Sequence, residues 1–430
     1  MRLSWQIPAK TLRAERTGHG ARATAPCVGH NDTVSDTHMT SSVDNLLPFE
    51  QAPTRRAPIV SWRILTAILA ALAMVVILFL VPVPFVVNSP GPTFNVLGSD
   101  KGVPILEIDG TDPTTGEPVE QDEPQSASYL DPAKPGQGQL RMVTVSESGS
   151  PDSRLNFAQL IAAYLDPHSK IMDYESVYPE GTTRQQVSDA QLAMMRNSQT
   201  TSQVAALEYL GWDVPATVTI EGAVEGSNAE GIVEQGDILR AITTPDGTRH
   251  EVADAVTPFS LMRTVPAGST MTLTVERNGE TQELSFDSVA ASATESGSKL
   301  GIYLSVEPSL PVTISVNIEG VGGPSAGMMF SLSIIDRLTP GDMTGGNSIA
   351  GTGTMSYDGQ VGAIGGIQQK LWGAQRDGAQ WFLAPSTNCD EVIGHVPDGM
   401  RVVSVSTLDE AVSAVHSIAD GTGDSLPTCQ

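Results

Sequence analysis

Ser325 lies in Gly322-Gly323-Pro324-Ser325-Ala326-Gly327, and Lys370 lies 45 residues later in Gly365-Gly366-Ile367-Gln368-Gln369-Lys370-Leu371. The serine follows a strand-like stretch, Val312–Ile318, and opens one whose apolar residues Met328, Leu332 and Ile335 keep a helical spacing. A helix start offers N–H groups and a positive dipole end, both suited to a developing oxyanion. Gly323 and Gly327 permit unusual backbone angles and a close substrate. The same serine would also serve as a plain helix N-cap. On the second stretch, Ile367, Leu371 and Ala374 define the inward face of a helix at i, i+4 and i+7, and Lys370 falls on that face at i+3. A buried ammonium is costly. Either the stem snorkels outward, or the amine is neutral and takes a proton from a serine hydroxyl.

A second chemistry fits the same serine. Gly323-Pro324-Ser325-Ala326-Gly327 matches Gly-x-Ser-x-Gly, the nucleophile elbow of α/β-hydrolases, with Asp377 or Asp390 and His395 or His416 downstream. The stretch from 299 to 419 is too short for that sheet, and Lys370 would then have no role.

Taken together, the two motifs resemble the proteolytic domain of the Lon family. Gly-Pro-Ser-Ala-Gly is similar to its nucleophile motif. Thr352-Gly353, followed by Gly359-Gln360-Val361-Gly362-Ala363-Ile364-Gly365-Gly366-Ile367-Gln368-Gln369-Lys370, is similar to its lysine motif. The resemblance implies a Ser-Lys dyad with Ser325 as nucleophile and Lys370 as base. It makes Thr352 a supporting residue, with Gly323, Pro324, Ala326 and Gly327 framing the serine. It also implies polypeptide substrates and no cofactor. The acidic residue frequent three positions before the family's serine is absent; Gly322 stands there. No Gly-x-x-x-x-Gly-Lys-Ser/Thr occurs, so an ATPase module is not expected.

The elements that position these residues belong to a chain of 430 residues, long enough for two or three domains. From Ile64 to Val87 there is no charged residue, and Ile64–Val81 is interrupted only by Thr66. That length spans a bilayer core, and no small-x-small cleavage site precedes Asn88, so the run reads as an uncleaved anchor. Residues 1–63 hold 8 Lys/Arg and 5 Asp/Glu, with Arg55, Arg56 and Arg63 beside the run. The totals of 24 and 49, less these, leave 16 basic and 44 acidic residues beyond it. Basic flanks stay in the cytoplasm, which puts the acidic portion outside the cell membrane. Its charge argues against nucleic acid as a partner.

Residues 1–58 read as a disordered cytoplasmic tail and 59–87 as the transmembrane anchor. Asn88–Gly98, with Pro90, Gly91 and Pro92, reads as an extended exit from the bilayer. It opens an extracytoplasmic α/β segment, 88–211, with a strand at Gln139–Ser146 and helices at Phe157–Leu165 and Thr183–Leu210, but no chemical motif. Residues 212–288 alternate as short strands, with a hairpin signal at Asn278-Gly279. Gly231-Ile232-Val233-Glu234-Gln235-Gly236-Asp237-Ile238-Leu239 resembles the turn and strand of PDZ domains, which bind extended peptides at a sheet edge. The stretch shows no Gly-Leu-Gly-Phe-type carboxylate loop. A linker, 289–298, leads to the Lon-like domain, 299–419, which opens on a strand at Gly301–Val306; a C-terminal tail, 420–430, follows.

The fold expected is therefore multidomain: a single N-terminal transmembrane helix, a PDZ-like β-rich domain and a C-terminal α/β Lon-type domain. The function expected is ATP-independent extracytoplasmic serine endopeptidase activity. The alternative is a PDZ scaffold with an inactive Lon-like domain. A homo-oligomer is left open. Cys27 lies on the reducing side, whereas Cys389 and Cys429 lie where a disulfide persists. Neither sits in a metal-binding spacing, so a bridge between them and two free thiols are the alternatives.

Overall fold

A computed structural model describes residues 61–119, 125–128, 137–292 and 296–429. The tail expected at 1–58 lies outside them. The chain divides into units Met1–Trp62 and Arg63–Gln430, and the architecture below is that of the second.

Helix α1 (Trp62–Leu80) has 19 residues, a mean hydropathy of 2.6 and no buried side chain. At 1.5 Å per residue it is about 28 Å long, enough to cross a bilayer core. The apolar run continues to Val87, but the helix does not. Pro82 and Pro84 lack the N–H a helix needs, and Val83, Val86 and Val87 are buried in the folded body instead.

The α/β body contains β1 (Phe85–Asn95), β2 (Leu106–Asp109), β3 (Gln139–Ser148), α2 (Phe157–Leu165), β4 (Lys170–Asp173) and α3 (Arg184–Tyr209). A β-rich body follows, with β5 (Ala216–Ala223), β6 (Asp237–Thr243), α4 (Thr257–Met262), β7 (Thr270–Arg277), β8 (Glu280–Asp287) and β9 (Ile302–Pro308). The chain then returns to the α/β body with β10 (Thr313–Val316), α5 (Gly327–Leu338), β11 (Ser348–Gly351), β12 (Thr354–Met355) and β13 (Val361–Gly362). It closes with α6 (Ile367–Arg376), β14 (Trp381–Pro385), β15 (Arg401–Val405) and α7 (Leu408–Ala419).

One six-stranded sheet runs β15-β14-β11-β3-β1-β4. Its four strands from β15 to β3 are parallel, and β1 is antiparallel to both β3 and β4. Period-two alternation sends Leu140, Met142, Ile349, Leu383 and Val403 to one face, against α3, α5 and α7. Val143, Ala350, Phe382 and Val402 go to the other, against Ile367, Leu371 and Ala374 of α6. Helices thus cover both faces, as buried parallel strands require.

This sheet overturns two expectations. Asn88–Gly98 is no exit linker, because most of it is β1, flanked on both sides. Its irregularity is absorbed by a register shift between Pro90 and Thr93. Arg376 donates to the Pro90 and Gly91 carbonyls, at 3.4 and 2.8 Å, and the Asp377 carboxylate accepts the Thr93 N–H at 3.1 Å. Nor is the C-terminal domain separate from 88–211, since β1, β3, β4 and α3 complete its sheet and core.

The β-rich body forms an antiparallel sheet, β8-β7-β6-β5-β9. The two-residue turn between β7 and β8 has Asn278 and Gly279 at φ 55° and 81°, the positive values a type I′ hairpin needs. Here a third correction arises. The strand expected to open the final domain is β9, and it pairs along β5 as the edge of this sheet. Ile302, Leu304 and Val306, alternating, pack onto this body's core. The linker's two ends pair as well, Val289 with Lys299 and Ala290 with Ser298. The β-rich body is therefore an insertion, and its chain ends meet where the Ser309 N–H donates to the Pro215 carbonyl at 2.7 Å.

Residues 420–429 are not a loose tail. The Cys429 and Ser404 N–H groups donate to the Val402 and Pro427 carbonyls, at 3.3 and 2.9 Å. A disulfide joins Cys429 to Cys389.

Candidate active site

Ser325 sits two residues before α5. Ala326 is the helix N-cap, and its side chain supplies no capping bond. Ser325 is thus not the cap. The N–H of Met328 is taken by the Gly353 carbonyl at 3.1 Å, while those of Ala326 and Gly327 find no acceptor among the described residues. These two donors at a helix start suit a developing negative charge.

The loop is held from two sides. From one, the Ser325 carbonyl accepts the Gly353 N–H and the Thr352 hydroxyl, each at 2.9 Å. From the other, α3 presents Ser198 Oγ to the Pro324 carbonyl at 3.0 Å and Ser202 Oγ to the Gly327 carbonyl at 2.9 Å. The Gln191 carbonyl accepts the Gly323 N–H at 3.1 Å. Gly323 has φ 86°, a conformation that disfavours any side chain. At Gly322 a Cβ would lie 2.7 Å from that of Gln191, which explains why the acidic residue frequent there in Lon-type domains has no room. The helix α3 was expected to carry no chemistry. Ser198 and Ser202 stand four residues apart, which reads as ordinary small-residue helix packing until the Ser325 loop is laid on it.

Lys370 comes from α6 on the opposite face of the sheet and reaches the C-terminal end of β11. Its side chain is buried, 3% exposed. Nζ lies 2.8 Å from Ser325 Oγ and 2.9 Å from Thr352 Oγ1. Thr352 is fully buried and follows β11, with its N–H on the Leu383 carbonyl at 3.1 Å. Since Thr352 donates to the Ser325 carbonyl, it must accept from the amine. In the neutral amine that uses one N–H of Lys370 and leaves a lone pair free to face Ser325 Oγ. No carboxylate pairs with Lys370 among the described residues, and burial alone pulls its pKa from 10.5 down to about 7. The neighbouring Gln369 donates to the His168 carbonyl at 3.2 Å, and Trp372 packs on the His168 ring, centroids 4.0 Å apart. The segment between α2 and β4 thereby anchors the lysine helix.

The structure brings Ser325, Lys370 and Thr352 together, with Gly323, Pro324, Ala326 and Gly327 framing the serine. It does not build the Ser-Asp-His alternative. Asp377 is engaged with Thr93 and Arg376, His395 turns to the Ile393 carbonyl, and Ser325 has Lys370 as its side-chain partner.

One more contact was not foreseen. β12 and β13 follow Thr352-Gly353 directly. At their tip Asp358 is paired with Arg263 beside α4, and Tyr357 packs against Phe259 of α4, ring centroids 5.3 Å apart. The inserted body thus touches the hairpin that continues from Thr352.

Residues 287–417 match the family model of the Lon protease (S16) C-terminal proteolytic domain. A Lon protease of Clostridioides difficile is 37% identical over 93 residues, 21% of this chain and 12% of that protein. Lon protease 2 of Herpetosiphon aurantiacus is 32% identical over 153 residues, 34% of this chain and 18% of that protein. Lon protease 2 of Bacillus subtilis is 30% identical over 107 residues, 24% and 18% of the two chains. The chain therefore spans less than a fifth of the length of these relatives. Among solved structures, the PDZ domain of an SdrC-like protein from Listeria innocua is 19% identical, with a TM-score of 0.18, over 20% of this chain and 92% of that one.

Proposed function

We propose that this chain is a single-pass membrane serine endopeptidase that works outside the cytoplasm without ATP. Ser325 is its nucleophile, Lys370 its general base and Thr352 the residue that orients the base. The observation that carries the reading is the 2.8 Å contact between Ser325 Oγ and a buried amine whose pKa has fallen to about 7. A neutral amine takes the hydroxyl proton as Oγ attacks a peptide carbonyl. The N–H groups of Ala326 and Gly327 receive the oxyanion. The resulting ammonium returns its proton to the leaving amine, and a water then hydrolyses the acyl-enzyme with Lys370 again as base.

The inserted body fits the peptide-presenting role expected of a PDZ-like domain. Its strand β9 is an edge strand, open to the addition of an extended peptide. Leu300-Gly301-Ile302-Tyr303 opens that strand, so the apolar-Gly-apolar-aromatic order missing from 212–288 arrives from beyond the linker. The basic residues on the N-terminal side of the apolar run, Arg55, Arg56 and Arg63, support the outward orientation.

The test is a fluorophosphonate probe on the purified full chain, followed by cleavage of an unfolded polypeptide without nucleotide. Labelling of Ser325 and cleavage without ATP are expected. A chain that neither takes the probe nor cleaves would be the scaffold, and a strict ATP requirement would overturn the nucleotide-free reading.

A further inference from the structure

Helix α2 carries an apolar face that nothing among the described residues covers. Leu160 and Ala163 turn inward to a small core with Val83, Val87 and Leu155. On the outside stand Phe157 and Ile161, 40% and 48% exposed, with Tyr164 and Leu165 at 80% and 74%. At about 100° per residue these four occupy one arc of roughly 100°, the width of a helix face that seeks an apolar partner. No charged residue interrupts α2 from Phe157 to Leu165.

The position of this face identifies its partner. α1 ends at Leu80, and Pro82 then bridges directly to Asn156, the N-cap of α2, while the Val83 N–H donates to the Leu155 carbonyl at 2.8 Å. The first exposed apolar residue, Phe157, is thus pinned within a few residues of the end of α1. The last residues of α1 are themselves exposed and apolar, Phe79 at 60% and Leu80 at 74%. A capping box at Asn156 and Gln159 fixes the start of α2, so the face is built rather than frayed.

We propose that α2 lies in the membrane interface, with Phe157, Ile161, Tyr164 and Leu165 inserted among the lipids beside the emerging α1. Tyr164 suits that depth, with an apolar ring and a polar tip. The proposal rests on α1 spanning the bilayer. It adds that the folded body is held down on the outer leaflet at a second point. Because the His168 carbonyl, just beyond α2, accepts from Gln369 and its ring packs at a tilt on Trp372, this contact also fixes how the lysine helix stands over the membrane.

The test is site-directed spin labelling of the full chain in phosphatidylcholine–phosphatidylglycerol vesicles, with Cys27 changed to Ser. Single cysteines replace Ile161, Tyr164, Leu165, Leu72 of α1 and, as a water-exposed control, Thr281. Relaxation by oxygen is compared with relaxation by a water-soluble nickel chelate at each site. Oxygen should dominate at 161, 164 and 165 as it does at 72, and nickel should dominate at 281. Tyr164→Glu with Leu165→Glu should reverse the ratio at 161. Nickel dominance at 164 and 165 with oxygen dominance at 72 would overturn the proposal and leave the anchor intact. Protection from both reagents would overturn it in favour of a second protein copy on this face. Nickel dominance at 72 would sink the anchor itself and the proposal with it.

Discussion

Replacing Lys370 by methionine should make the protein more stable at neutral pH while abolishing its chemistry. Lys370 binds its proton at about 7 in the folded state, against 10.5 ordinarily. Between those values the unfolded chain holds more protons, so the lysine's contribution to stability rises with pH across that window. Relative to a side chain that never charges, the buried lysine costs about 4 kcal/mol at pH 7, and the cost falls to about 2 kcal/mol at pH 9. The methionine side chain would forfeit two hydrogen bonds, to Ser325 and Thr352, worth about 1 kcal/mol each. Thr352 keeps its bond to the Ser325 carbonyl, and Ser325, only half-buried, regains one from water. The net expectation for Lys370→Met is a gain of about 2 kcal/mol at pH 7 that shrinks to near zero at pH 9. Urea unfolding of the two full chains in the same detergent, followed by tryptophan fluorescence at both pH values, reads it. The change between pH 7 and 9 is the more telling quantity, because the hydrogen-bond loss cancels in it. A variant that loses stability by the same amount at both pH values would refute a neutral, desolvated amine.

Ser325→Ala and Lys370→Arg should each lower kcat/KM by several orders of magnitude, since guanidinium cannot accept the serine proton, while Thr352→Ala should lose less. Steady-state kinetics on folded variants checks this, and substantial turnover by Lys370→Arg refutes the mechanism. The kcat/KM profile should rise with pH through about 7, because the deprotonated lysine is the active form; a profile flat from pH 5 to 9 would count against it. Cys389→Ser opens a loop closed across 40 residues and should cost about 3–4 kcal/mol in urea unfolding under oxidising conditions. No difference from the parent would show that the bridge constrains little.

The residues of the candidate site were legible in the sequence because they lie in local, rigidly spaced motifs. A glycine-framed serine at a helix start and a lysine on an apolar helical stripe each violate an ordinary preference, and violations mark sites. The topology was less legible, for identifiable reasons. β1 contains two prolines and a glycine, which read as punctuation. Its missing N–H groups are tolerated because Arg376 and Asp377, 280 and more residues away, take up the adjoining backbone. β9 has clean alternation, but alternation does not say which sheet a strand joins. The contacts of α3 with the nucleophile loop were invisible for a related reason: Ser198 and Ser202 act through hydroxyl bonds to carbonyls 125 and more residues distant. Such bonds leave no periodicity. The end of α1 at Leu80 was missed because apolar residues continue past it, first as a proline-broken turn and then as a buried strand.

The sheet order ties the Ser325–Lys370 site to strands upstream of residue 299. β11, which leads into Thr352, is sandwiched between β14 and β3, so half of its backbone pairing comes from upstream of residue 299. Leu140 and Met142 from β3, with Val204 and Leu207 from α3, are at most 1% exposed and lie in the same core as α5. Removing four such side chains forfeits about 6–12 kcal/mol, comparable with the whole stability of a domain. It also bares β11 as an edge and strips Ser198 and Ser202 from the loop that carries Ser325. A fragment of residues 299–430 should therefore be insoluble or unfolded and should not react with a serine probe. Excising 216–308 is the opposite case, although it removes a whole sheet. Its ends meet at Pro215 and Ser309, so a short glycine linker there should leave the α/β body folded and Ser325 reactive. Expression of both versions, with circular dichroism and probe labelling, decides between them. A soluble, probe-reactive 299–430 fragment would mean that the upstream strands merely decorate a self-sufficient domain.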